Sequence, residues 1–357
     1  MLTQLTALEL MVCDANWPLQ LQQVAELTGL QHLVLDAHLA EDEPGFSDDG
    51  SLDPYGQYER VLGEGLMRLS TLTSLQLLDI DVPGRPNIQL PRLPGLRNLR
   101  VQLDVTCGLL HSCPQLEELR AYALLGGGGE PPPQCLQLQR LLVADFVDVD
   151  LGSVAPNLRH LSCTEEALPR LRAGLQRSQI DSLDLNCGAE AFASFAADLG
   201  AAVGSQCSRL VFHMCDFDDD SLLLACGAVP RLDLAGYGMD MAHRMNMCLR
   251  TLTERGCAVR HLVLNLDQGN EPTAEQLRPL ARWPCLQRLS IHGWAACDVS
   301  ALAADCLTQG SPLTRIDLHV IIIAGAPPCW VQACEVCAGV ERANPAITCV
   351  AHRVAER

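Results

Sequence analysis

The chain has 357 residues, of which 48% are apolar but only 4% are aromatic, and its formal net charge is -18. Proteins bind phosphate backbones and anionic lipid surfaces by neutralising their charge, so this acidic balance argues against a nucleic-acid or membrane partner. The 18 cysteines are spread along the chain and do not form a short disulfide framework. The start has no signal-peptide pattern, and no apolar stretch reaches about 20 residues. We therefore expect a cytoplasmic protein with free thiols.

An apolar-x-x-apolar-x-apolar phrase recurs along the whole chain. Its thirteen copies open at Leu5, Leu30, Leu75, Leu96, Leu116, Leu138, Leu158, Ile180, Cys207, Val229, Val259, Leu286 and Leu313. All but one of the spacings lie between 20 and 30 residues, close to the period of about 20 to 29 that is typical of leucine-rich repeats. The last two apolar positions alternate on a short strand and point inward. Because one unit cannot bury them alone, the phrases predict stacked units whose parallel strands line a concave wall.

The lengths of the units predict how the chain returns between strands. Units between Leu75 and Ile180 have 20 to 22 residues, too few for a full helix, so they should return by extended or 3-10 segments. The later units are longer. Their apolar spacing predicts helices over residues 190–203 and 242–255, and another helix that starts at Thr273 in a capping-box sequence.

One insertion and the two ends of the chain differ from the regular units. The single spacing of 45 residues contains residues 40–58, which are rich in Asp, Glu, Gly, Ser and Pro and predict an acidic loop insertion. Residues 329–357 predict a C-terminal capping unit, with a helix near 330–342 and a last strand at 346–350. Since no polar cap precedes Leu5, we expect an N-terminal extension or a partner to cover the first repeat.

Two phrases have a cysteine shortly before the strand: CPQLEEL at residues 113–119 and CLQRL at residues 285–289. They resemble the cysteine-containing leucine-rich repeats of the ribonuclease-inhibitor-like superfamily. The resemblance implies one α/β domain of about 13 repeats over residues 1–357. Its expected form is a right-handed solenoid, or horseshoe, with a parallel concave sheet and a convex side of mixed 3-10, extended and α-helical segments. Such repeats are common in F-box proteins, so the resemblance also implies an alternative role as the substrate-recognition part of an F-box-type ubiquitin ligase receptor, although no F-box precedes Leu5.

Basic and imidazole side chains collect in two columns of the later phrases, at positions that should face the concave wall. The third column contains Arg140, His160, Ser182, Arg209, Arg231, His261, Arg288 and Arg315, and the seventh contains His213, His292 and His319. We predict that this arginine–histidine lane binds an acidic or phosphorylated segment of a protein partner. Asp184, Asp233 and Asp317 in the fifth column would partly neutralise it, and the imidazoles predict tighter anion binding below about pH 6.5. The alternative is that the arginines only cover the sheet with their aliphatic stems.

One set of residues has spacings that suit tetrahedral zinc: Cys334, Cys337, Cys349 and His352. The alternative, which we favour, is that the two helical cysteines pack inward as small apolar side chains. We therefore predict no metal and no other cofactor. The sequence also lacks a nucleophile elbow, a His-Glu-x-x-His pair and a dinucleotide fingerprint. The expected function is that of a non-enzymatic protein–protein interaction scaffold.

Overall fold

The computed structural model describes fourteen ranges of the chain. They are residues 4–12, 21–37, 62–81, 90–126, 134–145, 147, 149–164, 180–187, 207–214, 229–236, 241–266, 272–293, 299–322 and 329–355. The chain divides into two compact units, Met1–Gln179 and Ile180–Arg357, and each unit is described by itself. The acidic insertion expected at residues 40–58 and the helix expected at 190–203 lie outside the described residues, and a single domain over residues 1–357 stays a prediction.

The first unit contains nine described strands. They are β1 (Ala7–Val12), β2 (His32–Ala37), β3 (Leu77–Asp81), β4 (Asn98–Val101), β5 (Asp104–Thr106), β6 (Glu118–Ala121), β7 (Ala123–Leu125), β8 (Arg140–Val143) and β9 (His160–Thr164). Seven of them form an open parallel sheet in the order β1-β2-β3-β4-β6-β8-β9, while β5 and β7 form a separate parallel pair. Each phrase therefore supplies one strand, which pairs with the strand of the next phrase.

The second unit repeats this arrangement with seven described strands. They are β10 (Ser182–Cys187), β11 (Arg209–Met214), β12 (Arg231–Gly236), β13 (His261–Leu266), β14 (Arg288–Gly293), β15 (Arg315–Ile322) and β16 (Thr348–Ala355). They follow one another in chain order in an open parallel sheet. The two units thus have the mixed α/β, strand-by-strand architecture that is compatible with a repeat solenoid.

Helices connect many of the strands. In the first unit they are α1 (Leu21–Val24), α2 (62–68), α3 (Cys107–Ser112) and α4 (Leu151–Val154), and in the second α5 (Met241–Arg255), α6 (Ala274–Leu277), α7 (Ser300–Gln309) and α8 (Cys329–Ala343). Two 3-10 segments follow α2 and α6 directly, at Leu69–Thr71 and Arg278–Arg282. No helix among the described residues is both long and apolar enough to cross a membrane.

The helix predictions are confirmed where the structure describes them. Helix α5 matches the stretch 242–255, and α6 begins with the expected capping box. The backbone N–H of Gln276 donates to Thr273 Oγ1 at 3.4 Å, and the backbone N–H of Thr273 donates to Gln276 Oε1 at 2.7 Å. The short units differ from the prediction of only extended or 3-10 segments. Asp150 accepts a hydrogen bond from the Gly152 N–H and thereby caps the one-turn helix α4.

The core of each unit consists of the leucines and other aliphatic residues of the phrases. Leu33 and Leu35 of β2 are 0% exposed, and so are Leu262 and Leu264 of β13. These pairs are two residues apart, and side chains two apart on a strand share a face. The residues between them therefore point to the opposite face of the sheet, and this alternation positions the candidate site.

The segment predicted as the C-terminal capping unit, residues 329–357, contains a helix and a strand near the expected positions. Helix α8 covers Cys329–Ala343, and β16 extends from Thr348 to Ala355, five residues beyond the predicted end of the last strand. Asn344, which is 4% exposed, follows the helix and donates from Nδ2 to the Ala303 carbonyl of α7 at 3.2 Å. A buried amide thus joins the last helix to the preceding one.

Candidate functional site

The strands of the second unit place three rows of side chains on one face, here called the polar face. The first row contains Ser182, Arg209, Arg231, His261, Arg288 and Arg315, which are successive register neighbours on β10 to β15. The second row contains Asp184, Val211, Asp233, Val263, Ser290 and Asp317, and the third contains Asn186, His213, Ala235, Asn265, His292, His319 and His352. The parallel register therefore brings the second-unit part of the arginine–histidine lane together.

Asp233 is the centre of the first charged group on this face. Its carboxylate accepts hydrogen bonds from Arg209, through Nε at 2.9 Å and Nη2 at 2.6 Å. It also accepts hydrogen bonds from Arg231, through Nε at 2.8 Å and Nη2 at 3.1 Å. We refer to these three residues as the Asp233 cluster. Both arginines approach with two nitrogens, so the planar forks are fixed in direction.

Asp317 is the centre of an equivalent group three strands further along the sheet. Arg288 donates to it from Nε at 2.7 Å, and Arg315 donates from Nε at 3.0 Å and from Nη2 at 2.9 Å. His352 Nε2 lies 3.0 Å from Asp317 Oδ1. Burial opposes ionisation of Asp317, but the hydrogen bonds from Arg315, His352 and Arg288 outweigh burial and hold the pKa of this carboxyl well below its usual range. These four residues form the Asp317 cluster.

The charge of each cluster follows from this pairing. Asp233 and Asp317 are 1% and 0% exposed, whereas the side chains of their four arginines are between 39% and 45% exposed. Counting the arginines and the aspartate alone, each cluster holds two guanidinium groups and one carboxylate, which leaves one positive charge in excess. The buried carboxylate orients the arginines while part of each arginine side chain remains open to solvent. The lane is therefore a pair of pre-oriented cationic sites.

His261 occupies the strand between the two clusters. Its Nε2 lies 2.9 Å from Ser290 Oγ. Burial, together with the positive charges of Arg231 and Arg288, lowers the pKa of His261 to about 4. This imidazole is neutral at physiological pH and adds no charge to the lane.

Three imidazoles of the third row stack on one another. The ring centroids of His292 and His319 are 4.0 Å apart, and those of His319 and His352 are 4.4 Å apart, with the planes within 11° of parallel. Burial and the neighbouring His319 lower the pKa of His292 to about 4, and burial together with His352 lowers the pKa of His319. The prediction that the imidazoles gain charge below about pH 6.5 is therefore wrong for His261 and His292.

His213 has a different environment at the other end of the third row. Its Nε2 lies 3.0 Å from Asp184 Oδ1, a carboxylate of the neighbouring strand whose side chain is 35% exposed. His213 thus belongs to a local carboxylate–imidazole pair.

Arg140 and His160 are register neighbours on β8 and β9 of the first unit. Arg140 Nη1 lies 3.4 Å from Glu118 Oε2, and Glu118 also lies 3.5 Å from Arg100 Nη2. Arg100 in turn lies 4.0 Å from Asp79. Carboxylates and arginines alternate here, and the arginine side chains are 42% and 57% exposed, so water screens these pairs.

The residues considered for zinc do not meet at one point. Cys337 and Cys349 contact each other through a side-chain hydrogen bond, and Cys334 is exposed on α8. Cys349 is buried on the core face of β16, whereas His352, three residues later, lies on the polar face beside Asp317. No group of three metal-ligating side chains in the described ranges could hold a metal ion.

His352 is the site residue whose position the sequence reasoning missed. The last strand was expected to end at Val350, which left His352 outside the columns. Ala346, Cys349 and Ala351 repeat the spacing of the strand phrase with small residues. Including this weaker fourteenth phrase would have placed His352 in the seventh column, next to His319.

A second polar region lies among the helical segments of the same unit. It is a cavity of about 890 Å³ lined by residues that include Arg250, Glu254, Arg278, Arg282 and Asp305. Arg278 Nε lies 3.4 Å from Asp305 Oδ2, and this arginine side chain is 62% exposed. Acidic and basic side chains are mixed along its wall, without the buried, charge-orienting carboxylates of the polar face.

Comparison with known proteins adds no family assignment. A scan against protein-family models found no match, and a search of curated protein sequences found no significant relative.

Proposed function

We propose that this chain is a leucine-rich-repeat protein of the cysteine-containing type that acts as a non-enzymatic interaction scaffold. In this proposal the polar face of the second unit, which corresponds to the predicted concave wall, binds an acidic or phosphorylated segment of a protein partner. The observation that carries the proposal is the pair of charged clusters. In each, a buried carboxylate holds two half-exposed arginines in a fixed direction with one positive charge in excess.

Pre-orientation of the arginines favours binding over simple shielding of the sheet. An arginine in water loses side-chain entropy when it pairs with an anion, and this cost weakens exposed ion pairs. In the Asp233 and Asp317 clusters the buried carboxylate has already restricted the guanidinium. An incoming carboxylate or phosphate therefore meets donors that require little further ordering.

The charge of the whole chain favours a protein segment over a nucleic acid. Each cluster has one excess positive charge, while the net charge of the chain is -18. A long polyanion would meet this acidic surface outside the clusters, and its affinity would depend on neutralising many phosphates. A short segment with few anionic groups can contact the clusters alone.

The environment of the ionisable groups supports a non-enzymatic role. Asp317 is held ionised by several donors and accepts hydrogen bonds from every partner described above, which suits an orienting role and not proton transfer. His261 is bonded to Ser290, and the other low-pKa imidazoles are stacked face to face. The Ser290 hydroxyl that His261 contacts is only 2% exposed, so a substrate in solution has little access to it.

Affinity purification with matched variants tests the proposal. The first variant changes Arg209, Arg231, Arg288 and Arg315 to Glu. Because glutamates beside buried aspartates can unfold the unit, a second variant changes the four arginines to Gln and Asp233 and Asp317 to Asn. A control, Arg250→Gln with Arg282→Gln, alters the net charge by the same amount as the second variant but on the helical segments.

We expect the wild-type chain and the helical control to capture the same proteins, and both lane variants to lose them. Mass spectrometry should show acidic or phosphorylated segments in the captured proteins, and phosphatase treatment or added salt should release them. Capture of the same proteins, with unchanged affinity, by the neutral lane variant would overturn the proposal.

A second candidate function is substrate recognition in an F-box-type ubiquitin ligase receptor. The observation that favours it is the burial of cysteines just before the strands, where Cys113, Cys135, Cys207 and Cys257 are at most 7% exposed. This matches the cysteine-containing repeats that the sequence resembles. Co-purification of the ligase adaptor with the protein, together with an F-box in a longer transcript, would support this role. A purified complex without the adaptor would count against it.

A further inference from the structure

We infer that the partner segment carries two anionic groups about 14 Å apart, as in an extended segment with phosphoserines four residues apart. This inference rests on the proposed function and goes further by specifying what the polar face recognises. It follows from the spacing of the Asp233 and Asp317 clusters across the sheet.

The register determines the distance between the clusters. Arg209 and Arg231 are register neighbours on β11 and β12, and Arg288 and Arg315 are register neighbours on β14 and β15. The midpoints of the two pairs are therefore three strands apart. With neighbouring strands about 4.8 Å apart, this separation is about 14 Å.

The strand between the two arginine pairs, β13, adds no positively charged side chain to the polar face near pH 7. On the polar face β13 presents His261, Val263 and Asn265. His261 is neutral near pH 7 because burial and the flanking arginines lower its pKa to about 4, and Val263 is 3% exposed. The sequence suggested a continuous cationic lane, whereas the structure contains two separate sites with a neutral strand between them.

Two separate sites select the spacing of the ligand's charges. An extended segment advances about 3.4 Å per residue, so residues four apart span about 14 Å, while residues two apart span only about 7 Å. Phosphoserine is the closest match to each site, because a phosphate offers several acceptor oxygens and up to two negative charges to a pair of arginine forks. Binding both sites with one segment makes the second contact intramolecular and raises affinity.

Synthetic phosphopeptides test the spacing. A common Gly-Ser-Ala sequence carries either one phosphoserine or two phosphoserines at separations of two, four or six residues, and binding is measured by fluorescence anisotropy at low and moderate salt. We expect the peptide with separation four to bind at least about tenfold more tightly than the singly phosphorylated peptide and than the peptide with separation two.

A variant of one cluster provides the matched control. Changing Arg288 and Arg315 to Gln and Asp317 to Asn should reduce the affinity of the separation-four peptide to that of the singly phosphorylated peptide. The singly phosphorylated peptide should keep its affinity within about twofold, because the Asp233 cluster remains, and this retained binding also shows that the variant is folded. Loss of both peptides together would show that the clusters are not independent sites and would overturn the inference.

The remaining outcomes separate the inference from the proposed function. Equal affinity for all doubly phosphorylated peptides would overturn the spacing inference and leave the proposed function standing. No binding by any peptide, even at low salt, would overturn the proposed function and the inference with it. Tighter binding of a single-stranded oligonucleotide of the same charge would overturn the assignment of a protein partner.

Discussion

Arg209 on β11 reaches Asp233 on the adjacent strand β12, with its Nη2 2.6 Å from an oxygen of the buried carboxylate. Asp233 is 1% exposed and also accepts two hydrogen bonds from Arg231. A carboxylate without these partners would be expensive to bury, and the arginines without it would lose their orientation. The clusters therefore combine a structural role with the proposed binding role. The structural role can be tested without a partner, by measuring the free energy of unfolding of variants.

Asp233→Asn should destabilise the second unit by about 1 to 3 kcal/mol. The loss of unfolding free energy is larger than this when the remaining partner of the ion pair is also buried. Here the side chains of Arg209 and Arg231 are 42% and 39% exposed and can turn towards water. Urea unfolding measures the change. The control is Asp184→Asn, whose carboxylate is 35% exposed and should cost less than about 1 kcal/mol. Equal effects of the two substitutions would contradict the role given to Asp233.

Acid should weaken folding between about pH 6.5 and pH 4. The pKa values of His261 and His292 are lowered from 6.5 to about 4, so in this range the unfolded chain binds protons that the folded chain does not. The stability that these two neutral imidazoles contribute is therefore fully present above pH 6.5 and is lost as the pH falls towards 4. Asp317, whose pKa is lowered from 3.8, adds a further loss only below about pH 4. Urea midpoints measured at several pH values record the slope.

A double substitution separates the two histidines from the other acid-sensitive groups. His261→Gln with His292→Gln should flatten the slope between pH 6.5 and pH 4 without removing the loss at lower pH. Arg231, Arg288, Asp233 and Asp317 face His261, and His319 stacks on His292. These neighbours are unchanged in this variant. An unchanged slope would show that other groups cause the acid sensitivity.

Trp283 should contribute strongly to the free energy of unfolding of the second unit. It is 1% exposed, and its indole Nε1 donates a hydrogen bond of 2.7 Å to Thr253 Oγ1 on α5. Trp283→Ala should cost about 3 to 5 kcal/mol through the cavity it leaves. Trp283→Phe should retain much of the packing but lose the hydrogen bond, at about 1 kcal/mol or somewhat more. Thermal and urea unfolding of both variants, with Val331→Ala on the exposed side of α8 as a control, measure the difference.

The strands could be predicted from the sequence because their signal is local and repeated. Leu262 and Leu264 are buried in β13 for the same reason as Leu33 and Leu35 in β2, so each phrase supports the assignment of the others. Knowing the strand positions also places Arg209 beside Arg231, since equal positions in successive phrases become register neighbours.

The electrostatic character of the site could not be predicted in this way. The columns show that Asp233 lies near arginines, but they do not show that its carboxylate is buried or that His261 is buried enough to stay neutral. These properties depend on side-chain directions across three strands. His352 was missed for a different reason, because the small residues Cys349 and Ala351 weaken the apolar pattern that marks β16.

Thiol accessibility should divide the cysteines into fast and slow groups. Burial raises the pKa of Cys248 to about 12 and that of Cys107 to about 11, whereas Cys334 is exposed on α8. Because the thiolate is the reactive form, iodoacetamide at pH 7.5 should alkylate Cys334 at least about 100-fold faster than the two buried thiols. Peptide mass spectrometry over time measures the rates. Cys334→Ser should remove the fast reaction from the peptide that contains residue 334, and urea should make Cys248 and Cys107 reactive. Rapid alkylation of Cys248 in the folded chain would contradict its place in the core.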